Sequence, residues 1–373
     1  METLELQEVK INPLQELLET LDYQKSIKQD LIVPSHFIAY DGITGLLNAR
    51  DLGDFQMNKH AHAQMAERLG IPGAYYDKMK ANAPELLGSN INTWLSQKEK
   101  TSYLLRTYNY QETETQNICR AILSSRYNIL DNYDVLLAAL EAIKMTGIRV
   151  QIEKATITDK RMYLHIVAPE IHREATELLD GYLANRNTAE VGKGIISGLV
   201  ISNSEVGLGT FEISARAQIL QCRNGMHDRS ARYRKVHLGA KMDDGIINWS
   251  DNTKNKNYEL IMAQVGDAVK TYLSDEYLGQ LTTNLMKHKQ TPINNPVGVI
   301  EKVSNELSIA EHHRESILKY FLRDADESAF GLMNAFTRES QHMDADTQFE
   351  VESGVFNMLP KFVQMDIQPI SRN

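Results

Sequence analysis

A chain of 373 residues exceeds the size at which one core usually suffices, which favours either one large α+β domain with an extension or two domains. Hydrophobic residues at 42% and charged residues at 24% sit in the ordinary globular range and exclude extended disorder. A formal net charge of −9 excludes a protein that coats nucleic acid with its whole surface, and leaves a local basic face open.

The first hundred residues are read as mainly helical. Leu14, Leu17, Leu18 and Leu21 recur at helical spacing and predict a helix over 13–28. Ala61, Met65, Ala66 and Leu69 predict a second from Asn58, closed by Gly70, and Pro72 to Met79 a short third. The opening Met1-Glu2-Thr3-Leu4-Glu5 has neither the basic nor the apolar region of a signal peptide, and no apolar run reaches the roughly 18 residues of a membrane span. With Cys119 and Cys222 as the only cysteines and no C-x-x-C spacing, a reducing, cytoplasmic location is expected, away from membranes.

Between 101 and 248 the pattern turns to strands: Tyr103 to Arg106, Ile148 to Ile152, Met162 to Val167, Gly194 to Val200, and Thr210 to Cys222 ahead of the tight-turn pair Asn224-Gly225. Asp131 to Met145 predicts a helix inserted among them, with Asp131 or Asn132 as cap. From 249 to 373 the chain reads as helical, with a long helix over 257–289 and capping-box spacings at Ser308 to Glu311 and Thr347 to Glu350. The expected fold is α+β: a central antiparallel or mixed sheet, N-terminal helices (1–100), a β-rich centre (101–248) and a helical C-terminal extension (249–373) that is either separate or continuous with the sheet.

The segment from Arg216 to Lys241 concentrates charge. Arg216, Arg223, Arg229, Arg232, Arg234, Lys235 and Lys241 face the single acid Asp228, a net of +6 that leaves −15 for the remainder. Several Lys and Arg side chains along a strand suit a phosphate backbone, and Tyr233 among them offers a stacking face for a base. The alternative is a solvated face paired with acids such as Asp243 and Asp244.

Asn203-Ser204-Glu205, with Gly207 and Gly209, sits between two strands, as a demanding connection or with Glu205 as a metal ligand or general base. Cys222 with His227 and His237 contains the residue types of a thiol nucleophile and its base, but Cys222 ends an apolar run and reads as a small buried hydrophobe. Arg120 and Arg126 either extend a basic groove or pair internally with the helix that follows. His60 and His62, like His312 and His313, lack the four-residue spacing of a helical zinc pair, and no phosphate-wrapping G-x-x-x-x-G-K-[ST] loop is present. No metal, cofactor or catalytic residue is therefore expected.

Several segments together resemble a known family. These are Ala61-His62-Ala63-Gln64-Met65 through Leu69-Gly70-Ile71-Pro72, Tyr75 to Met79, Asn92-Thr93-Trp94-Leu95, Arg120 to Tyr127 and Asp131-Asn132. Ser202-Asn203-Ser204-Glu205-Val206-Gly207, Cys222-Arg223-Asn224-Gly225-Met226, His237, Asn334 to Arg338 and Gly354 continue the series. The pattern resembles the phage/plasmid-like proteins of domain of unknown function 932, over roughly residues 45 to 355. The resemblance implies a prophage or mobile-element context, where replication and recombination proteins concentrate. It transfers no activity to any residue, so Arg120, Arg126, Asn203, Ser204, Glu205, Gly207, Cys222, Asn224, Gly225 and His237 stand as family motif without a role. The expectation is a non-enzymatic, homo-oligomeric protein that binds or anneals single-stranded DNA. The alternatives are a protein–protein factor acting on host defence or replication proteins, and a hydrolase or transferase built on Glu205, Cys222 and the histidines.

Overall fold

The computed structural model describes residues 13–98, 101–110, 117–180, 194–219, 225–235 and 251–367. The fold is α+β. It contains two sheets, and the chain clusters into two compact units. Residues 13–135 and Ser204–Thr210 belong to the first; the other described residues belong to the second.

The first unit runs α1 (Pro13–Ile27), β1 (Lys28–Pro34), β2 (Ala39–Tyr40), β3 (Leu46–Asn48), β4 (Asp54–Met57), α2 (Lys59–Leu69), α3 (Gly73–Asn82), α4 (Pro84–Ser96), β5 (Ser102–Tyr108) and β6 (Ile118–Ser124). Its six strands form one sheet in the order β1-β5-β6-β4-β3-β2, antiparallel except for β4 with β6. The expected helices form: Leu17 and Leu21 bury the inner stripe of α1, Asn58 caps α2 by accepting from the Ala61 N–H at 2.8 Å, and Gly70 closes α2 at φ 72°. The four strands between Lys28 and Met57 were not expected. Three of them have four residues or fewer, too short for alternation to register as a pattern.

Alternation on β5 and β6 sends side chains to both faces of this sheet. Tyr103, Leu105, Cys119 and Ile122 join the core that includes Ala61 and Met65 of α2 and Leu87 and Ile91 of α4. Leu104, Ala121 and Leu123 turn the other way and pack with Val206 from the Ser204–Thr210 segment.

The second unit begins within α5 (Asn132–Thr146) and continues with β7 (Gln151–Ile157), β8 (Met162–Glu174), β9 (Gly194–Asn203), β10 (Phe211–Ile219), β11 (Gly225–Lys235), α6 (Asp251–Tyr272), α7 (Asp275–Lys289), α8 (Pro296–Glu306), α9 (Glu311–Asp324), α10 (Ala329–Glu339), α11 (Ala345–Met358) and α12 (Phe362–Ile367). Its five strands form an antiparallel meander, β11-β10-β9-β8-β7. Ile195, Ala217, Ile219 and Met226 enter one apolar core with Leu278, Leu281 and Leu285 of α7 and the inner faces of α8 to α11. Helices α6 and α11 both pack on β11.

Three helix boundaries differ from expectation. The span 257–289 is broken at Ser274, whose hydroxyl accepts from the Tyr277 N–H and starts α7. Ser308 adopts φ 56° and does not cap α9, which starts after Ala310 with no side-chain cap. Asp344, and not Thr347, caps α11 by accepting from the N–H groups of Asp346 and Thr347.

Candidate functional site

Ser204 and Glu205 of the Asn203-Ser204-Glu205 motif form the centre of a buried polar joint in the first unit. The register of β5 against β6 slips between Arg106 and Thr107, which leaves Arg120 as the extra residue of a β-bulge. Bulges re-aim side chains, and here Arg120 reaches Glu205: its Nη1 donates to Oε2 at 3.0 Å, and its guanidinium lies 3.9 Å over the Tyr108 ring. The other carboxylate oxygen of Glu205 accepts from the Asn132 backbone N–H at 2.7 Å, at the start of α5, where a negative charge is favourable. Both oxygens are thus engaged, which supports the demanding-connection reading.

A second arginine completes the joint. Arg106 is fully buried on β5, and its Nη1 donates to the Glu205 carbonyl at 3.0 Å. Its Nε donates to Asp30 at 3.0 Å, and Asp131 takes a further ion pair from it and another from Lys28. Burial works against the Arg106 charge, but Asp131, Asp30 and Glu205 together hold it more firmly protonated than usual. Burial likewise opposes the Asp131 carboxylate, and Arg106 and Lys28 overcome this and hold its pKa below the ordinary value.

Smaller contacts fix the backbone of the motif. The Ser204 hydroxyl accepts from the Leu208 N–H at 3.1 Å, and the Ser204 carbonyl accepts from the Tyr127 hydroxyl at 3.0 Å. Gly207 sits at φ 74°, where a Cβ would lie 2.6 Å from Leu123. Gln64 on α2 uses both ends of its amide, accepting from the Ile122 N–H at 2.8 Å and donating to the Val206 carbonyl at 2.7 Å. Asn203 is buried at the end of β9, and Arg126 is exposed. Beside the joint lies a cleft lined by Lys25, Lys28, Tyr108, Asp131, Asp134 and Glu205, with about 20 Å³ of free volume. That is room for a water molecule.

The basic segment divides. Arg216 lies on β10, an interior strand in which every side chain is buried, so its charge requires an internal partner. The partner is Glu153, the extra residue of a bulge in β7, which accepts from Arg216 Nη1 at 2.6 Å. Arg216 therefore cannot present itself to phosphates, and the expected surface array loses it. Gly225 makes room for this pair, since a Cβ there would lie 2.4 Å from Arg216 Nε. Arg229, Arg232, Tyr233, Arg234 and Lys235 belong to β11, which ends the sheet on its side. Arg232 is exposed, and the register sets Arg234 opposite Glu212. Cys222, Arg223, Asn224, His237 and Lys241 lie outside the described residues.

Sequence did not single out His165 and Glu352, which are buried in the second unit, and it singled out Arg216 and His227 only in other roles. His165, Arg216 and His227 share a face of the sheet beneath Glu352 and Phe349 of α11. Among the described residues, no group of three or more His, Cys, Asp or Glu side chains could hold a metal ion, and no helix is long and apolar enough to cross a membrane. No family model, no curated protein and no solved structure matches the chain.

Proposed function

We propose that the protein is a non-enzymatic, phage/plasmid-type nucleic-acid-binding protein that engages single-stranded DNA along β11 and the basic residues flanking it. The observation that carries this reading is the position of the charge. Arg229, Arg232, Arg234 and Lys235 lie on a strand that ends its sheet, where Arg232 is open to solvent. Arg223 lies two residues before that strand in sequence, and Lys241 follows it. Arg232, open to solvent in a chain of net −9 and surrounded in sequence by further cations, offers the phosphate backbone one place to bind.

The test is fluorescence anisotropy with a labelled oligonucleotide of several tens of bases. With four phosphate contacts, log affinity falls with log salt at a slope near −2.8, so a fourfold rise in salt weakens binding about 50-fold. Arg232→Glu lowers affinity for every sequence alike, because phosphate contacts carry no base information. It leaves the melting temperature unchanged, because Arg232 is an exposed surface position. Absence of binding at low salt, or an Arg232→Glu variant that binds as well as wild type, overturns the proposal and transfers the strand to an acidic protein partner.

A further inference from the structure

We propose that the polar layer between the five-stranded sheet and α11 is an acid-sensitive latch: it holds α11 on the sheet near neutral pH and releases that helix, ahead of the rest of the unit, as the pH falls. The layer is assembled from every element that meets there. β7 contributes Glu153 and Lys154, β8 contributes His165, β10 contributes Arg216, β11 contributes His227, and α11 contributes Glu352 and Gln348. The His165 and His227 ring centroids are 5.7 Å apart. His227 Nε2 lies 2.8 Å from Glu352 Oε2, with both side chains fully buried. Gln348 ties the helix down further: its Nε2 donates to Glu352 Oε1 at 2.6 Å, and its Oε1 accepts from Lys154 Nζ at 2.8 Å.

Lys154 and Arg216 stand in this layer against Glu153 and Glu352, with Glu212 buried further along the same face of β10. A proton on His165 sets a positive charge near Arg216 and Lys154, in a place with little water to screen it. His165 carries the sensitivity. It is 5% exposed, and burial, then Arg216, His227 and Lys154, keep its pKa well below the ordinary imidazole value. Lifting α11 would return His165 to water and to a pKa near 6.5. The open state therefore takes up a proton that the closed state refuses. Below about pH 6.5 the opening constant rises towards tenfold per pH unit, and about 30-fold in all between pH 7.5 and 5.0. Glu352 does not contribute in that window. Burial raises its pKa, but His227 and Arg216 pull it below the ordinary glutamate value, so its stabilisation is lost only at more acid pH.

The experiment is hydrogen exchange on the full chain between pH 7.5 and 5.0, with rates normalised to the intrinsic rate at each pH. Peptides from α11 are compared with peptides from α8, which carries no histidine. The expected result is a loss of protection in α11 of about 30-fold, with a slope of one proton per opening, while α8 keeps its protection. His165→Gln, neutral at every pH, removes the slope. A slope near zero in α11 overturns the proposal, as does loss of α8 and α11 protection together, or a His165→Gln variant with the wild-type slope. Should that variant not fold, the slope and the α8 comparison in the wild-type chain decide alone.

Discussion

Glu205→Ala removes the acceptor for two buried donors and gives the sharpest measure of the joint. Arg120 is 9% exposed, and its Nε and Nη2 already find no acceptor among the described residues. Without Glu205 its charge is left uncompensated, and breaking a buried pair in this way costs about 3–5 kcal/mol. The Asn132 N–H also loses its acceptor, at about 1–3 kcal/mol. The two costs overlap, because the space left by the carboxylate adjoins the cleft and admits water. The expected loss is about 4 kcal/mol, and about 2 kcal/mol for Glu205→Gln, whose amide oxygen still serves one donor. Urea unfolding followed through Trp94, on α4 of the same unit, reads this as a shift in midpoint at constant slope. Combining Arg120→Met with Glu205→Leu removes both charges and recovers at least half of the loss. A Glu205→Ala protein within 1 kcal/mol of wild type refutes this account of the joint, and loss of DNA binding at unchanged stability assigns Glu205 to the ligand instead.

Gly207→Ala places a Cβ at φ 74° and 2.6 Å from Leu123, so a loss of about 1–3 kcal/mol is expected, read as a lower melting temperature. Gly225→Ala pushes the Arg216 guanidinium away from Glu153 and destabilises by a similar amount; adding Arg216→Met relieves most of it, and a double variant no better than the single contradicts the assignment. Asp131 has a lowered folded pKa, so its stabilisation is complete above about pH 4 and disappears as the pH falls through the depressed value. The difference in melting temperature between wild type and Asp131→Asn is thus expected to be constant from pH 7 to 5 and to shrink below pH 4. A fragment ending at residue 248 loses α6 to α12 and uncovers Ile195, Ala217, Ile219 and Met226, so it is expected to be insoluble; a soluble fragment with a cooperative melt argues that the helices do not complete this core.

What was legible from sequence follows the strength of local signals. α1 and α2 carry 3.6-residue patterns, α2 with caps at both ends, and β8 to β10 carry runs of apolar and β-branched residues long enough to be recognised. The strands β2 to β4 have no such length. The two buried arginine pairs depend on bulges at Arg120 and Glu153, and a bulge leaves no mark in a sequence unless glycine makes it. Arg106 did leave a mark, as a charge at the end of the apolar run Tyr103-Leu104-Leu105, and such a residue in a buried strand implies distant partners that only the fold identifies. Arg216 misled for the same reason. Clustering along the chain grouped it with the exposed Arg232, while their strands place one inside the sheet and the other at its border.

The threading of Ser204–Thr210 into the first unit has a consequence for biogenesis. Gln64 waits for Val206, 142 residues downstream, and Arg120 waits for Glu205, 85 residues downstream. At ribosomal rates of roughly 5–20 residues per second, about 7 to 28 s separate the synthesis of Gln64 from that of its partner. For about the last 4 to 17 s of that interval the nascent chain carries Leu104, Ala121 and Leu123 without Val206 to cover them, and Arg106 without the Glu205 carbonyl. Synonymous codons that slow the ribosome between residues 135 and 204 are therefore expected to lengthen the exposure of this apolar surface and lower the soluble yield.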